Sequence, residues 1–376
     1  MKEITINIHN LSGSTSPGDY VLDDSLKATV ELAIALNKPL LVTGAPGTGK
    51  TQLAHKIAFE LSKDTRNSFN FLPQPWTFNT KTTSTARDLF YQYDAIGHFQ
   101  RKGAENKTDV SVSDYIQLNA LGAAIVHTRI GNKKNAAKHP SVISEDRKKK
   151  EAGLTDEAIA AISKKMEEDE DKLRKISRDK LKDTPMSSVV LIDEIDKAPR
   201  DFPNDLLNEI ENYQFYISEL DLTVRAASPD AARIIIIMTS NFEKNLPPAF
   251  LRRCLFYNIP TPKGKALLDI VVARMTAFLE QRFLEQKKPM LSEEQIRDRY
   301  KSIVEAFDAW GETLNDKAPA TAELLEWLKA LELYQFFNEK RDFNALTDHQ
   351  KKILQYTFPI LAKSKDDVDT LANLLK

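Results

Sequence analysis

Three short apolar segments stand out along the chain; a glycine-rich stretch follows the first, and polar residues follow the other two. They cover residues 39–43, 188–192 and 233–238. Their apolar residues follow one another directly, without the alternation expected of a sheet with one face in water. Continuous apolar strands are typical of a parallel sheet that helices cover on both faces. The pattern therefore predicts an α/β core.

Amphipathic stretches predict further elements around these strands. One helix is expected over residues 20–37, ahead of the first strand, and another over residues 52–61, directly after it. Residues 76–79 read as a further strand, and residues 247–251 as a short helix. Strands that alternate with helices in this way are those of a parallel sheet.

Beyond residue 263 the strand signals end and the pattern becomes helical. Ser292 with Glu293 and Glu294 behind it is typical of a helix start, with a serine cap and acids in the first turn. The sequence thus predicts an α/β domain over residues 1–262 and an all-helical domain over residues 263–376. The expected helices cover residues 265–286, 292–310 and 321–339, with a last amphipathic segment from residue 366.

A segment rich in Lys, Glu and Asp, at about residues 130–183, interrupts the α/β domain. It carries apolar residues at near-helical spacing, which predicts one or two exposed helices with a thin apolar stripe. A solvated charged hairpin and a partner-binding arm both remain open. The apolar residues are Ile159, Ile162, Met166, Leu173 and Ile176.

Composition narrows the functional classes. The net charge of −1 removes the usual electrostatic argument for a nucleic-acid binder. Cys254 is the single cysteine, which suits a reducing compartment, and six scattered histidines show no zinc-ligand spacing. We find no apolar run of the roughly 20 residues that span a bilayer. Residues 1–10 lack the basic start and apolar centre of a signal peptide, so we expect a cytoplasmic protein without membrane insertion.

The strongest chemical signal is a complete G-x-x-x-x-G-K-[ST] motif between the first strand and the next helix. Its glycines let the backbone wrap around phosphate oxygens, and the helix directs its positive end at the anion. The Lys50 ammonium is expected to reach the β- and γ-phosphates of ATP, and the Thr51 hydroxyl to ligate Mg²⁺. The predicted binding residues are Gly44, Ala45, Pro46, Gly47, Thr48, Gly49, Lys50, Thr51 and Gln52.

Carboxylates follow the second apolar strand, where ligands bind in open α/β sheets. Asp193 is predicted to hold the Mg²⁺, and Glu194 to orient and polarise the attacking water. Asn241 follows the third apolar strand, which we expect between the other two, and could reach the γ-phosphate or the water. Taken alone, two acids could simply end a strand and Asn241 could belong to an ordinary turn.

Two arginines, Arg252 and Arg253, follow the predicted short helix. A guanidinium could be supplied to the γ-phosphate of a neighbouring subunit, where it would stabilise transition-state charge. The alternative is a surface salt bridge. The residue pattern alone leaves both open.

In this order and spacing, these motifs resemble those of the AAA+ ATPases, and in particular those of the MoxR family. The similarity implies a nucleotide-binding AAA+ domain followed by a helical lid domain. It favours Arg253 over Arg252 as the arginine finger. The stretches that carry it are residues 39–54, 191–198, 201–211, 246–253 and 319–327.

The lid departs from this family pattern at one position. Many relatives carry an arginine on the sensor helix, and the matching residue here is Ala322. Lys317, just before that helix, is a candidate replacement. In such proteins the adenine pocket forms from backbone and apolar contacts, which would lie near Tyr20 and Val21 here.

The resemblance also implies partners. MoxR relatives form ring homo-oligomers, usually hexamers, that bind ATP between subunits and mature or remodel protein complexes, often with a von Willebrand A domain protein. Residues 83–99 of such a ring could face its central pore. This segment includes the aromatic residues Phe90, Tyr91, Tyr93 and His98.

Two other functions remain open. A nucleic-acid motor or restriction-type NTPase is one, for which the basic residues 147–150 are the only support. A scaffold whose nucleotide state sets assembly, with slow hydrolysis, is the other.

Overall fold

A computed structural model describes most of the chain. The described residues are 16–66, 68–104, 111–129, 184–241, 245–286, 289–314, 318–338 and 346–375, with single positions between 164 and 176. Residues 1–10, Lys317 and the basic segment 147–150 lie outside them, as do Ile159, Ile162 and Met166.

Nine strands occur in this part of the chain. They are β1 (Leu40–Gly44), β2 (Trp76–Asn79), β3 (Tyr91–Tyr93), β4 (Ile116–Leu118), β5 (Ser188–Asp193), β6 (Gln214–Ile217), β7 (Leu222–Arg225), β8 (Ile234–Ser240) and β9 (Leu255–Ile259). Five of them form a parallel sheet in the order β2-β5-β8-β1-β9. The predicted α/β core is therefore confirmed, and β8 lies between β5 and β1 as expected.

Burial explains why these segments are apolar throughout. Every residue of β8 is buried, as are the first five residues of β5. A strand covered on both faces has no solvent side that would require alternating polar residues.

Two antiparallel strand pairs were not predicted. β3 pairs with β4, and β6 pairs with β7. The strands β3 and β4 have only three residues each, too few for a periodic signal. In β6 and β7 the buried residues do alternate with accessible ones, so the period of two was present in the sequence but short.

Helices flank the sheet and make up the C-terminal region. The described helices are α1 (Asp24–Ala35), α2 (Lys50–Lys63), α3 (Ala95–Ala104), α4 (Ala120–His127), α5 (Phe202–Asn212), α6 (Pro248–Leu251), α7 (Gly264–Gln286), α8 (Glu293–Gly311), α9 (Thr321–Leu333), α10 (Asp348–Thr357) and α11 (Lys365–Asn373). This confirms the helical C-terminal region. Ser292 caps α8, accepting a hydrogen bond from the Gln295 backbone N–H.

The prediction of one helix over residues 321–339 was wrong at its end. α9 stops at Leu333, because Gln335 takes a φ of 60°, in the left-handed region that terminates helices. The sequence analysis did not predict α10, although Thr347 and Gln350 form a capping box that marks its start.

The chain divides into two compact units, each with its own apolar core. The described parts of residues 25–43 and 53–258 form the sheet unit. Those of residues 1–24, 44–52 and 259–376 form the helical unit. The domain boundary expected after residue 262 stays a prediction.

Two described residues of the charged segment belong to the core of the sheet unit. Leu173 and Ile176 are each 3% exposed, and the neighbouring Lys172 Nζ donates to the Leu220 carbonyl over 2.8 Å. Part of the expected apolar stripe is thus buried. In the part of the chain the structure describes, we find no helix long and apolar enough to cross a bilayer.

Candidate active site

The phosphate-loop motif forms the connection between β1 and α2. Its three glycines, Gly44, Gly47 and Gly49, take φ values of 144°, 77° and 87°. Side chains with a Cβ rarely adopt such conformations, so the loop requires glycine at these positions. Backbone turns of this kind let successive N–H groups face an anion.

Lys50 is the first residue of α2 and is only 6% exposed. Its Nζ donates to the carbonyls of Gly44 over 2.8 Å and Ala45 over 2.9 Å, so the ammonium is held over the loop. Positive charge from this ammonium and from the start of the helix therefore collects at the loop. Thr51 and Gln52 follow on α2, half-buried and exposed respectively. These features fit the phosphates of a nucleotide.

The loop is tightly packed within the helical unit. A Cβ built on Gly49 would lie 2.9 Å from Cε2 of Tyr20. A Cβ built on Gly47 would lie 2.8 Å from the Cβ of Ala320 and 3.4 Å from that of Ala322. The start of α9 thus contacts the loop directly. The sequence singled out Tyr20 and Ala322, but no local signal pointed to Ala320.

Asp193 ends β5 and is bound to the neighbouring strand β8. The Thr239 hydroxyl donates to Asp193 Oδ1 over 2.5 Å and accepts from the Glu194 backbone N–H over 2.8 Å. This threonine fixes the carboxylate and the following peptide together. Sequence reasoning assigned it no role, although Thr239 and Ser240 are the polar end of an otherwise apolar strand.

Glu194 has a strained backbone and a restrained side chain. Its φ and ψ are 54° and 51°, in the left-handed region that costs a residue with a Cβ about 1–2 kcal/mol. Its Oε1 accepts from Asn241 Nδ2 over 3.1 Å, and its Oε2 accepts from Lys197 Nζ over 2.5 Å. The Asn241 backbone N–H donates to Asp196 Oδ2 over 3.1 Å. Glu194 and Asn241 therefore lie together, with Asp196 and Lys197 as contacts that the sequence did not predict.

Strand register explains why Asp193 and Glu194 meet Thr239 and Asn241. In the parallel sheet β5 pairs with β8, with Ile192 opposite Met238, so the residues that follow lie side by side at the carboxyl ends of the two strands. Ligands of open α/β sheets bind at this edge.

The donor set suits Mg²⁺ that is held mainly by a substrate. The described residues contain no group of three or more His, Cys, Asp or Glu side chains that could hold a metal. Mg²⁺ in nucleotide sites takes one or two protein oxygens, and phosphates and water complete its octahedron. The Asp193 carboxylate of the sheet unit is an oxygen donor of this kind, and so, taken by itself, is the Thr51 hydroxyl of the helical unit.

The two arginines follow α6 and are both exposed. The Arg253 Nε donates to Glu211 Oε1 at the end of α5, and its Nη1 donates to the Ala249 carbonyl over 3.3 Å. A salt bridge within the chain therefore exists. Burial raises the pKa of the adjacent Cys254 to about 12, which keeps this thiol neutral and unreactive.

The aromatic residues proposed for a pore are mostly core residues. Phe90, Tyr91 and His98 are buried, and the Tyr93 hydroxyl is hydrogen-bonded to His98 Nδ1 over 2.5 Å. The exposed aromatic side chain of this segment is Phe99, at 82%. Contacts with residues distant in sequence, such as Phe90 with Phe215 and His98 with Tyr115, bury these side chains, which sequence spacing could not show.

Comparison with known proteins agrees with the site. No curated protein shows a significant match to the chain. The family described as the AAA domain of the dynein-related subfamily matches residues 39–254, which is more than half of the chain and includes the phosphate loop, Asp193, Glu194, Asn241 and both arginines. Members of the AAA class are P-loop NTPases that hydrolyse ATP. The chain therefore belongs to the dynein-related subfamily of AAA domains.

Proposed function

We propose that this chain is a MoxR-type AAA+ ATPase that uses ATP hydrolysis to remodel or mature a protein complex. The observation that carries the hydrolytic part is the contact between Glu194 and Asn241, at the carboxyl ends of two adjacent strands. A carboxylate and an amide at this edge are suited to orient a water for attack on a phosphate.

Each residue of the site has a role in this mechanism. The loop glycines and Lys50 bind the phosphates, since backbone N–H groups and an ammonium stabilise their negative charge. Mg²⁺, when bound, neutralises charge that develops on the phosphate oxygens. Asp193, fixed by Thr239, offers it a carboxylate oxygen. Glu194 orients and polarises the water, and Asn241 holds the Glu194 side chain.

We further propose that the protein works as a ring homo-oligomer, with six subunits as the expected number. Arg253 of one subunit would stabilise transition-state charge in the next. Its exposure supports this role, because a finger must extend beyond its own subunit. The proposed partner is a protein, and by resemblance to MoxR relatives one with a von Willebrand A domain. The near-neutral charge argues against nucleic acid.

The hydrolytic role of Glu194 is tested by Glu194→Gln, which keeps the shape and removes the charge. We expect nucleotide affinity to stay within about twofold, while turnover falls by 10²-fold or more because water activation is lost. ATP hydrolysis and equilibrium nucleotide binding measure the two effects. Glu31→Gln, an exposed acid on α1, is the control. Turnover near the wild-type rate in Glu194→Gln would refute the assignment.

The same variant tests the partner class, because it should stay loaded with ATP. Its mass in solution with ATP reports the ring, and proteins that co-purify with it report the client. If DNA stimulates wild-type turnover with a steep salt dependence, a nucleic-acid motor replaces the proposal. If turnover responds to no candidate partner, a nucleotide-controlled scaffold is the better description.

A further inference from the structure

The turn after Glu194 places the Lys197 ammonium against the Glu194 carboxylate. A 3₁₀ helix, Ile195–Lys197, begins directly after Glu194, and the Lys197 backbone N–H donates to the Glu194 carbonyl over 2.9 Å. Residues three apart lie on the same side of such a turn. The Lys197 Nζ consequently reaches Glu194 Oε2 over 2.5 Å.

The Glu194 carboxylate is thus held by two donors from different elements. Asn241, after β8, donates to one oxygen, and Lys197, on the turn after β5, donates to the other. A carboxylate has about four lone-pair sites, so both oxygens keep an acceptor site for a water. Two hydrogen bonds fix the plane of the carboxylate, whereas a single one would leave the group free to rotate.

This ion pair is poorly placed to stabilise the fold. The Lys197 and Glu194 side chains are 39% and 36% exposed, and pairs with that exposure contribute little to stability. The pair can still matter for the reaction rate through the orientation of a group that acts on water, since a misplacement of about 1 Å can lower a rate by 10²-fold.

From this arrangement we propose that Lys197 is a positioning residue for hydrolysis. It fixes the Glu194 carboxylate in the orientation in which that group directs the attacking water. The inference rests on the proposed function, because it takes Glu194 as the residue that acts on water.

Lys197→Met tests this, because methionine keeps an unbranched chain and removes the ammonium. We expect kcat to fall by roughly ten- to a hundredfold. KM for ATP and the Kd for ADP should remain within about twofold, since Lys197 is not assigned to phosphate binding. Lys197→Arg, which keeps a donor and the charge, should recover part of kcat. The control is Lys263→Met, which breaks the exposed Lys263–Glu312 pair.

An unchanged or higher kcat in Lys197→Met would contradict the inference. If Glu194→Gln keeps full turnover, the proposed function itself fails. If Glu194→Gln loses turnover but Lys197→Met keeps full turnover, Glu194 retains its proposed role and Lys197 is not a positioning residue.

Discussion

At the residue scale, Arg253 has an ion-pair partner within its own chain and a second, proposed partner in a ring. It contacts Glu211 of its own chain, with side chains that are 45% and 51% exposed. An ion pair this exposed contributes about 0–1 kcal/mol, so a more strongly charged anion can displace it. In the proposed ring, we therefore expect Arg253 to leave Glu211 and to act on a neighbour's phosphate.

Arg253→Ala is expected to lower turnover by 10³-fold or more, because arginine fingers raise kcat by factors of that size. Assembly should remain largely intact, and ATP hydrolysis and solution mass measure the two properties. Mixing this variant with Lys50→Ala subunits should restore some activity, since each supplies what the other lacks. Arg252→Ala separates the two candidate fingers, because it should keep turnover if Arg253 is the finger. Absence of rescue at every mixing ratio would exclude a finger acting in trans.

At the element scale, the contact between the phosphate loop and the start of α9 explains why small residues occur on both sides. Gly47 faces Ala320 and Ala322, and there is no room for a methyl group between them. An arginine at position 322 would start from a Cα already close to the loop. The missing sensor arginine therefore coincides with close packing at this point.

Gly47→Ala is expected to destabilise the protein by about 2 kcal/mol or more, because it adds a clash to an unfavourable φ. Nucleotide affinity should fall with it. Gly264→Ala is a matched control, since Gly264 has a φ of 54° and nothing lies within 4 Å of its added Cβ. The control variant should lose only about 1–2 kcal/mol of unfolding free energy, from backbone strain alone. Thermal unfolding and nucleotide binding compare the two variants. Equal losses of stability would show that the contact with α9 is unimportant.

At the scale of the whole molecule, each compact unit has its own apolar core, and the helical unit also contains a buried ion pair. Glu332 on α9 is 5% exposed and accepts from the Arg299 guanidinium over 2.6 and 2.8 Å. The Tyr300 hydroxyl donates to the same carboxylate over 2.7 Å. Burial, reinforced by the Glu332 charge, raises the pKa of Tyr300 well above its usual value. These contacts join α8 to α9.

Glu332→Leu should destabilise the helical unit by about 3–5 kcal/mol, because it leaves a buried guanidinium without its carboxylate. The Arg299→Met, Glu332→Leu double variant should lose less than the sum of its two single variants. Urea unfolding followed by tryptophan fluorescence measures this, since Trp310 and Trp327 lie in this unit. The variants are best made in a Trp76→Phe background, which removes the signal of the sheet unit. Glu312→Leu, in an exposed pair, is the control and should have little effect. Full additivity would indicate that the pair is uncoupled.

Much of the molecule follows from local sequence alone. The phosphate loop requires a fixed order of residue types within eight positions. Its glycines are needed for the backbone conformation and its lysine for the positive charge. Continuous apolar runs identify the strands β1, β5 and β8, since strands buried on both faces have no polar side. Asp193 and Glu194 were placed by their position at the end of such a run. Ser292 marked the start of α8 in the same local way.

Tertiary structure alone decided which distant residues meet. Thr239 contacts Asp193, Asn241 contacts Glu194 and Ala320 contacts Gly47, and each contact joins elements far apart in sequence. Lys197 is only three residues from Glu194, but its contact depends on a left-handed residue that no pattern predicted. Burial of His98 and Glu332 likewise depends on neighbours from other elements. Periodicity reports which face of an element is buried, whereas strand order and packing determine what lies against that face.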